Sequence, residues 1–469
     1  MAETTRDLTV VVGLARSGIG AARLLKYLGH SVLVIESQSS PALKTKADVL
    51  RQAGIDVRLG VPLHRDAFAS LGATPVAVVV SPGIRWDHPT LVELRNLGVA
   101  TKGEMELAFH ASGDVPWIGI TGTNGKTTVT HLVSHLLQHA GLDAPMGGNV
   151  GFSGAELVLE RLERGDPQPN WLVMELSSYQ IESAPQIAPR VGIWTTLTPD
   201  HLERHGTIEA YRAIKRNLLE RSTAPILNAD DADLRAHAAG LQRGIWVTAG
   251  RAADLPPKIK PSLWIEAGQV WHAHQPGGPG KLLMAADCLA MPGAHNRQNM
   301  LMAAAAGLEA GLIGSQMEQA FRSFTGVPHR LELIREQKGI TFFNDSKATN
   351  YDAAEVALHA LDGPLVVLAG GKSKQGNPNG WLAALQQKAA AVVLYGAAQT
   401  EFHHLLSQAG FSGVVHCCES LAESVPLAYQ LAHKLRCLAV LFSPACASFD
   451  QYSDFEARGD HFRELVMSL

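Results

Sequence analysis

The sequence predicts an α/β fold in three domains, 1–103, 104–326 and 327–469, the outer two Rossmann-like. Three observations predict it. Apolar runs of strand length alternate with amphipathic helical stretches nearly throughout, the pattern of mostly parallel sheets. A length of 469 residues suits about three domains. Gly-rich turns follow apolar strands near 13, 122 and 370, the places where open sheets present ligands.

Composition bounds the partners. Apolar residues at 46% and charged residues at 18% are ordinary for a globular enzyme. The formal charge of −4 is spread without a basic block, so no nucleic-acid or membrane partner is expected. The polar start MAETTRD leads directly into a strand, so no signal peptide is expected, and no apolar run reaches membrane-span length. Five cysteines without metal spacing (Cys288, Cys417, Cys418, Cys437, Cys446) read as reduced thiols of a cytoplasmic protein.

The first domain opens with a strand at Leu8–Val12, then Gly13-Leu-Ala-Arg-Ser-Gly18-Ile-Gly20, then a helix through Leu24, Leu25 and Leu28. The strand Ser31–Ile35 ends at Glu36, and Val76–Val80 runs into Ser81-Pro82-Gly83. This is a dinucleotide-type β-α-β layout, but Ala15 stands where the second fingerprint glycine belongs. A nucleotide-sized ligand suits these strand ends, and NAD is not supported.

In the second domain, Trp117–Thr121 feeds the turn Gly122-Thr123-Asn124-Gly125-Lys126-Thr127-Thr128. The helix that follows has apolar positions Val129, Leu132, Val133, Leu136 and Leu137, which share one face. Backbone N–H groups and a helix N-terminus aimed together suit a polyphosphate. Lys126 would then reach the terminal phosphates and the Thr127 hydroxyl would meet Mg²⁺. This makes the central domain P-loop ATPase-like, although Ile120 occupies the fingerprint's first glycine position.

Downstream, Trp171–Glu175 is a buried strand that delivers a carboxylate near its end, where phosphate-loop proteins hold Mg²⁺. His201 and His205 are four apart, but Leu202 stands where a zinc protease needs glutamate. Lys215 by itself reads as a solvated helix residue. Asn299, in His295-Asn-Arg-Gln-Asn299, suits a helix N-cap or first turn, or an amide contact to a nucleotide.

The third domain has apolar strands near 340–344, 365–369, 391–395 and 437–442. Its polar signatures are Gly326-Val-Pro-His-Arg330 and Phe343-Asn-Asp345-Ser-Lys347, together with the loops at 370–374 and 443–455. A lysine and a hydroxyl on such loops suit a small dicarboxylate.

Together these segments resemble the Mur ligase family over essentially the whole chain. GTNGKTT at 122–128 and HNRQN at 295–299 carry the broad likeness; ELSSYQIE at 175–182, GVPHR at 326–330, NDSKATN at 344–350 and SPACASFDQYSDFEARG at 443–459 are more selective. The resemblance implies a cytoplasmic enzyme of peptidoglycan-precursor synthesis, and a monomer is expected. It would use ATP to join the carboxylate of UDP-N-acetylmuramoyl-L-alanine to D-glutamate through an acyl phosphate. The three domains would bind the UDP end, ATP and the amino acid in turn.

By resemblance, Gly122 to Thr128, Asn299, Arg330 and Asp345 hold ATP, with Lys126, His201 and Lys215 catalytic. Thr127 and Glu175 serve one Mg²⁺; His201 and Lys215, the latter as a carbamate, serve a second. Arg16, Ser17, Ser37, Gly83 and Asn149 meet the UDP substrate. His201, Ser448, Phe455 and Lys374 receive D-glutamate, with Lys372 as the alternative lysine. Three other readings remain: a sister ligase with another amino acid, an NAD-dependent oxidoreductase, and a UDP-sugar-binding protein without turnover.

Overall fold

The computed structural model describes residues 8–69, 75–237, 240–241, 243–291, 293–373 and 376–469. Three sheets carry the fold. The first comprises β1 (Leu8–Val12), β2 (Ser31–Glu36), β3 (Asp56–Leu59), β4 (Ala77–Val80) and β5 (Ala100–Gly103). Its order is β3-β2-β1-β4-β5, all parallel. Strand order reverses between β1 and β4, so the loops after β1, β2 and β4 open beside the switch point where such sheets bind ligands.

The second sheet comprises β6 (Trp117–Thr121), β7 (Met146–Gly148), β8 (Leu172–Glu175), β9 (Val191–Trp194), β10 (Ala224–Asn228), β11 (Ile245–Thr248), β12 (Pro261–Glu266), β13 (Gln269–His272) and β14 (Lys281–Ala285). Its order is β14-β13-β12-β11-β10-β9-β6-β8-β7. Strands β6 to β12 pair in parallel, while β12, β13 and β14 form an antiparallel meander. Every residue of β6, β8, β9 and β10 is buried, as expected of central strands covered by helices on both faces.

The third sheet comprises β15 (Glu332–Gln337), β16 (Ile340–Asn344), β17 (Leu365–Gly370), β18 (Ala389–Tyr395), β19 (Val414–Cys418) and β20 (Ala439–Phe442). It is ordered β15-β16-β20-β17-β18-β19, and only the β15–β16 pair is antiparallel. The expected strands are all present. The β12–β14 meander and β15 are additions to the parallel pattern read from the sequence. Among the described residues no helix is long and apolar enough to cross a membrane.

The chain divides into two compact units, one of residues to 290 with 294–324 and one of 291–293 with 325–469. The first two sheets lie in one unit because side chains from both join a common apolar core, Val11 and Val79 with Trp117 and Trp194 among them. Their junction is close-packed. Gly103 ends β5, and its N–H donates to the Ser183 carbonyl at 2.6 Å. Glu104 follows, buried, and accepts a hydrogen bond from the Ala155 N–H, and its burial pushes the carboxyl up to about 7.

A Cβ at Gly103 would collide with Ser183 Oγ and stand 3.0 Å from the Ser183 carbonyl oxygen. Gly103→Ala is therefore expected to cost the first unit ~2–3 kcal/mol. Denaturant unfolding measures it, and a wild-type midpoint would show that the junction yields.

Candidate active site

The β6 register assembles the site. Ile120 lies opposite Glu175 on β8 and Ile193 on β9, so the loops after these strands emerge side by side. After β6 the chain turns through Gly122 (φ 148°) and Gly125 (φ 84°) before the helix Lys126–His139 begins. Both are conformations that side-chain-bearing residues seldom adopt. Thr127 and Thr128 are buried in the first helical turn. Lys126 Nζ bends back to the carbonyls of Gly122 (3.0 Å) and Thr123 (2.8 Å), which holds its charge over the loop.

Glu175 is 2% exposed and closes β8 beside this loop. Its Oε1 accepts from Asn149 Nδ2 at 2.8 Å, while Oε2 is buried with no hydrogen-bond partner. A buried carboxylate oxygen without a partner is costly unless a cation or donor completes it. Asn149, expected at the UDP substrate, has its amide on Glu175, and its N–H donates to the Glu175 carbonyl.

Lys215 is 1% exposed, on the helix Ile208–Arg221. Its Nζ donates to Thr121 Oγ1 (3.1 Å) and the Gly122 carbonyl (2.9 Å) and lies 4.6 Å from the Tyr211 ring centroid. Burial first, then the nearby Lys126 charge, pushes its amine well below the ordinary lysine range. Sequence alone reads this lysine as solvated, and the structure corrects that. The missed signal is helical spacing, because Tyr211, Lys215, Leu218 and Leu219 share the buried face.

His201 sits differently. It adopts φ 53° at the start of the short helix Leu202–His205, with its side chain 45% exposed. The ring is 3.4 Å from Asp200, 3.7 Å from Glu203, and packs against Tyr179. His205, which the sequence reading left without a role, is the more enclosed of the pair. Its Nε2 meets Ser178 Oγ at 2.9 Å, its ring packs between Tyr179 and Tyr211, and burial lowers its pKa. Among the described residues no three His, Cys, Asp or Glu side chains form a metal cluster. Mg²⁺ does not need one, since it is held by one or two carboxylates together with substrate phosphates.

Asn299 lies in the second turn of the helix Ala294–Glu309, so the N-cap and first-turn readings both fall. A Cβ on Gly125 would be 2.9 Å from Asn299 Oδ1, so this amide lies against the phosphate loop.

On the first sheet, Arg16 and Ser17 follow β1, Ser37 follows β2 and Gly83 follows β4, three adjacent strands. Glu36 braces this edge. Its carboxylate accepts from the Leu14 N–H (2.9 Å) and the Gln38 N–H (2.9 Å).

In the second unit, Asp345 follows β16 and is buried. Its carboxylate accepts from Ser443 Oγ (2.8 Å) and the Leu331 N–H (3.1 Å). Burial outweighs these bonds and the Arg330 and Arg458 charges, so its pKa is raised to about 7. The loops after β17 and β20 are tied together by Lys372 and Ala447, whose backbones exchange hydrogen bonds of 2.8 and 3.0 Å. Ser448 is buried beside that tie. Phe455 packs edge-on to His329, with Lys347 Nζ 5.5 Å from its centroid. Lys374 lies outside the described residues. Arg458, given no role of its own within the 443–459 motif, is wholly buried and bonds Ser346 Oγ and the carbonyls of Cys446 and Ser346.

Comparison with known proteins accords with this geometry. The Mur ligase middle domain matches residues 120–307, and the Mur ligase glutamate ligase domain matches 329–446. The chain is 55% identical over 461 residues to the UDP-N-acetylmuramoylalanine--D-glutamate ligase of Synechococcus sp. (strain CC9902), covering 98% of each. It is 45% identical over 460 residues to the protein of that name from Synechocystis sp. (strain ATCC 27184 / PCC 6803 / Kazusa), covering 98% of this chain and 99% of the relative. In fold it is similar to the solved UDP-N-acetylmuramate-alanine ligase of Thermotoga maritima. That likeness has a TM-score of 0.57 at 19% identity, over 98% of this chain and 99% of that one. The chain belongs to the Mur ligase family.

Asp345 also has a pH signature. The folded chain keeps its proton to about pH 7, whereas the ordinary value is 3.8. Its burial therefore opposes folding increasingly as pH rises from about 4 to 7, once the unfolded state has released that proton. Asp345→Asn preserves the shape, and its amide can donate to Ser443. It is expected to raise Tm at pH 8 and to raise it much less at pH 4. An equal shift at both values would show that the carboxyl does not titrate between them.

Proposed function

We propose that this chain is an ATP-dependent ligase that adds D-glutamate to UDP-N-acetylmuramoyl-L-alanine, releasing ADP and phosphate in peptidoglycan synthesis. One observation carries the reading. The glycine loop, Lys126, the unpartnered oxygen of Glu175 and the buried amine of Lys215 converge at the ends of β6 and β8. The names of the relatives supply the acceptor and the amino acid.

A carboxylate is a poor electrophile at neutral pH, so the acceptor carboxylate first takes the γ-phosphoryl group of ATP. The amine of D-glutamate then attacks the acyl phosphate, and the tetrahedral intermediate expels phosphate. Two anions must meet in the first step, so catalysis is mainly positioning and charge neutralisation. Lys126 places a cation over the loop, and the helix it opens directs its N-terminus at the phosphates.

The residues fit Mg²⁺. Thr127 and the bare Oε2 of Glu175 would hold one ion, which would draw charge from the phosphate oxygens. We assign a second ion to His201 and Lys215. An ammonium cannot ligate a cation, but a neutral buried amine can attack CO₂, lose a proton and become a carbamate. The exposure of His201 leaves its part resting on family resemblance. Arg16, Ser17, Ser37 and Gly83 are assigned to the UDP end, and Ser448, Phe455 and the 372–374 loop to D-glutamate. Arg330 and Asp345 are assigned to the nucleotide. The enzyme is assigned to the cytoplasm, in keeping with five cysteines that form no disulfide.

Phosphate release from ATP with UDP-N-acetylmuramoyl-L-alanine should depend on D-glutamate, and not on L-glutamate, L-alanine or meso-diaminopimelate. Release with a different amino acid would move the chain to a sister ligase, and no release with any would end the ligase reading. Lys126→Ala should abolish turnover while UDP-substrate binding, measured by calorimetry, survives. Lys215→Ala should be nearly inactive and partly recover with short carboxylic acids that mimic the carbamate; no recovery at any concentration removes the carbamate but leaves the ligase.

A further inference from the structure

We propose that Thr195 and Thr196, held by Asn228, are positioning residues that set the phosphate loop into its nucleotide-binding shape. This rests on the reading of 122–128 as the ATP site. The loop departs from the usual fingerprint, because Ile120 stands where its first glycine belongs. The end of β9 supplies what is missing. The Thr123 N–H donates to the Thr196 carbonyl at 2.8 Å, and the Asn124 N–H donates to Thr196 Oγ1 at 2.9 Å. The Asn124 carbonyl accepts from Thr196 Oγ1 at 3.2 Å and also from Thr195 Oγ1. A hydroxyl carries one donor and two lone pairs, so Thr196 can bind both backbone groups of one residue, as a neighbouring strand would.

The brace is itself braced. Asn228 is buried at the end of β10, and its Nδ2 donates to the Thr195 carbonyl (3.0 Å) and to Gln298 Oε1 (3.2 Å). Its Oδ1 accepts from the Asp230 N–H at 3.0 Å. Both N–H donors of this amide and its carbonyl oxygen are thus engaged, which fixes its orientation. Gly122 completes the fit, because a Cβ there would collide with Thr195 Oγ1. Two successive loop N–H groups, at 123 and 124, therefore face the β9 end. On the ATP-site reading, the N–H groups left to receive phosphates begin at Gly125, where the helix starts.

A loop ordered before the nucleotide arrives does not have to be ordered by it. Thr196→Val keeps the shape and removes the hydroxyl, while Thr196→Ser keeps the hydroxyl. Calorimetry with the full chain, Mg²⁺ and the non-hydrolysable analogue adenylyl imidodiphosphate should show the valine variant binding about tenfold more weakly and the serine variant close to wild type. The KM for ATP should rise by the same factor, with kcat and the KM values of the other two substrates within about twofold. Wild-type affinity in the valine variant, no recovery in the serine variant, or all three KM values rising together would overturn the proposal. If Thr196→Val does not fold, Thr195→Val reads the same quantity.

Amide hydrogen exchange at Thr123 and Asn124 reads the brace without nucleotide. It should quicken about tenfold in the valine variant, and unchanged exchange would overturn the proposal. Wild type that binds no adenine nucleotide would instead remove the ATP-site reading, and the exchange result would then decide the brace alone.

Discussion

The cross-strand register of β6 with β8 and β9 is the constraint on which the rest of the site depends. Ile120 faces Glu175 on one side and Ile193 on the other. A parallel sheet delivers all its strand ends to one edge, so this register alone brings the glycine loop, the carboxylate and the threonine brace together. A slip of one residue would turn Glu175 to the opposite face of the sheet. Such a slip is costly, because it would move the Glu175 carboxylate, buried at the end of β8, away from the Asn149 amide that meets it.

Within that frame the site gathers charge that its surroundings do not neutralise. Glu175 leaves one oxygen bare, Lys215 is buried with only neutral hydrogen-bond partners so that its charged form is disfavoured, and Lys126 adds a cation nearby. A buried, incompletely paired group is unfavourable alone, and such groups brought together mark a functional site. Asp345 in the second unit follows the same rule, since its hydrogen bonds do not offset its burial. A ligand that binds the folded chain and supplies opposite charge stabilises it by its own binding.

Much of this was legible beforehand, for identifiable reasons. The phosphate loop declared itself through glycines at 122 and 125 and an amphipathic helix after them, all local signals. Glu175 stood at the end of an apolar run. The burial of Lys215 is not legible from its neighbours alone. Its neighbours in sequence are polar, and only the helical alignment with Tyr211 and Leu218 marks the buried face. Asn299 stands near a helix start in sequence and so suits a cap, yet it lies a turn deeper, against Gly125. Arg458 lies within the 443–459 motif, yet nothing in that segment says that three polar groups from 346 and 446 will surround it.

By itself the sequence determined the α/β alternation, the strand ends and the chemical character of the phosphate loop, because periodicity and turn chemistry act over a few residues. The tertiary structure decided which side chains meet. It set Asn149 on Glu175, Lys215 beneath the loop and Thr196 against Asn124, pairs separated by 26, 94 and 72 positions from their partners. It also decided ionisation, for burial depends on what the rest of the chain lays over a group. That is a property of the packed whole, which no window of sequence contains.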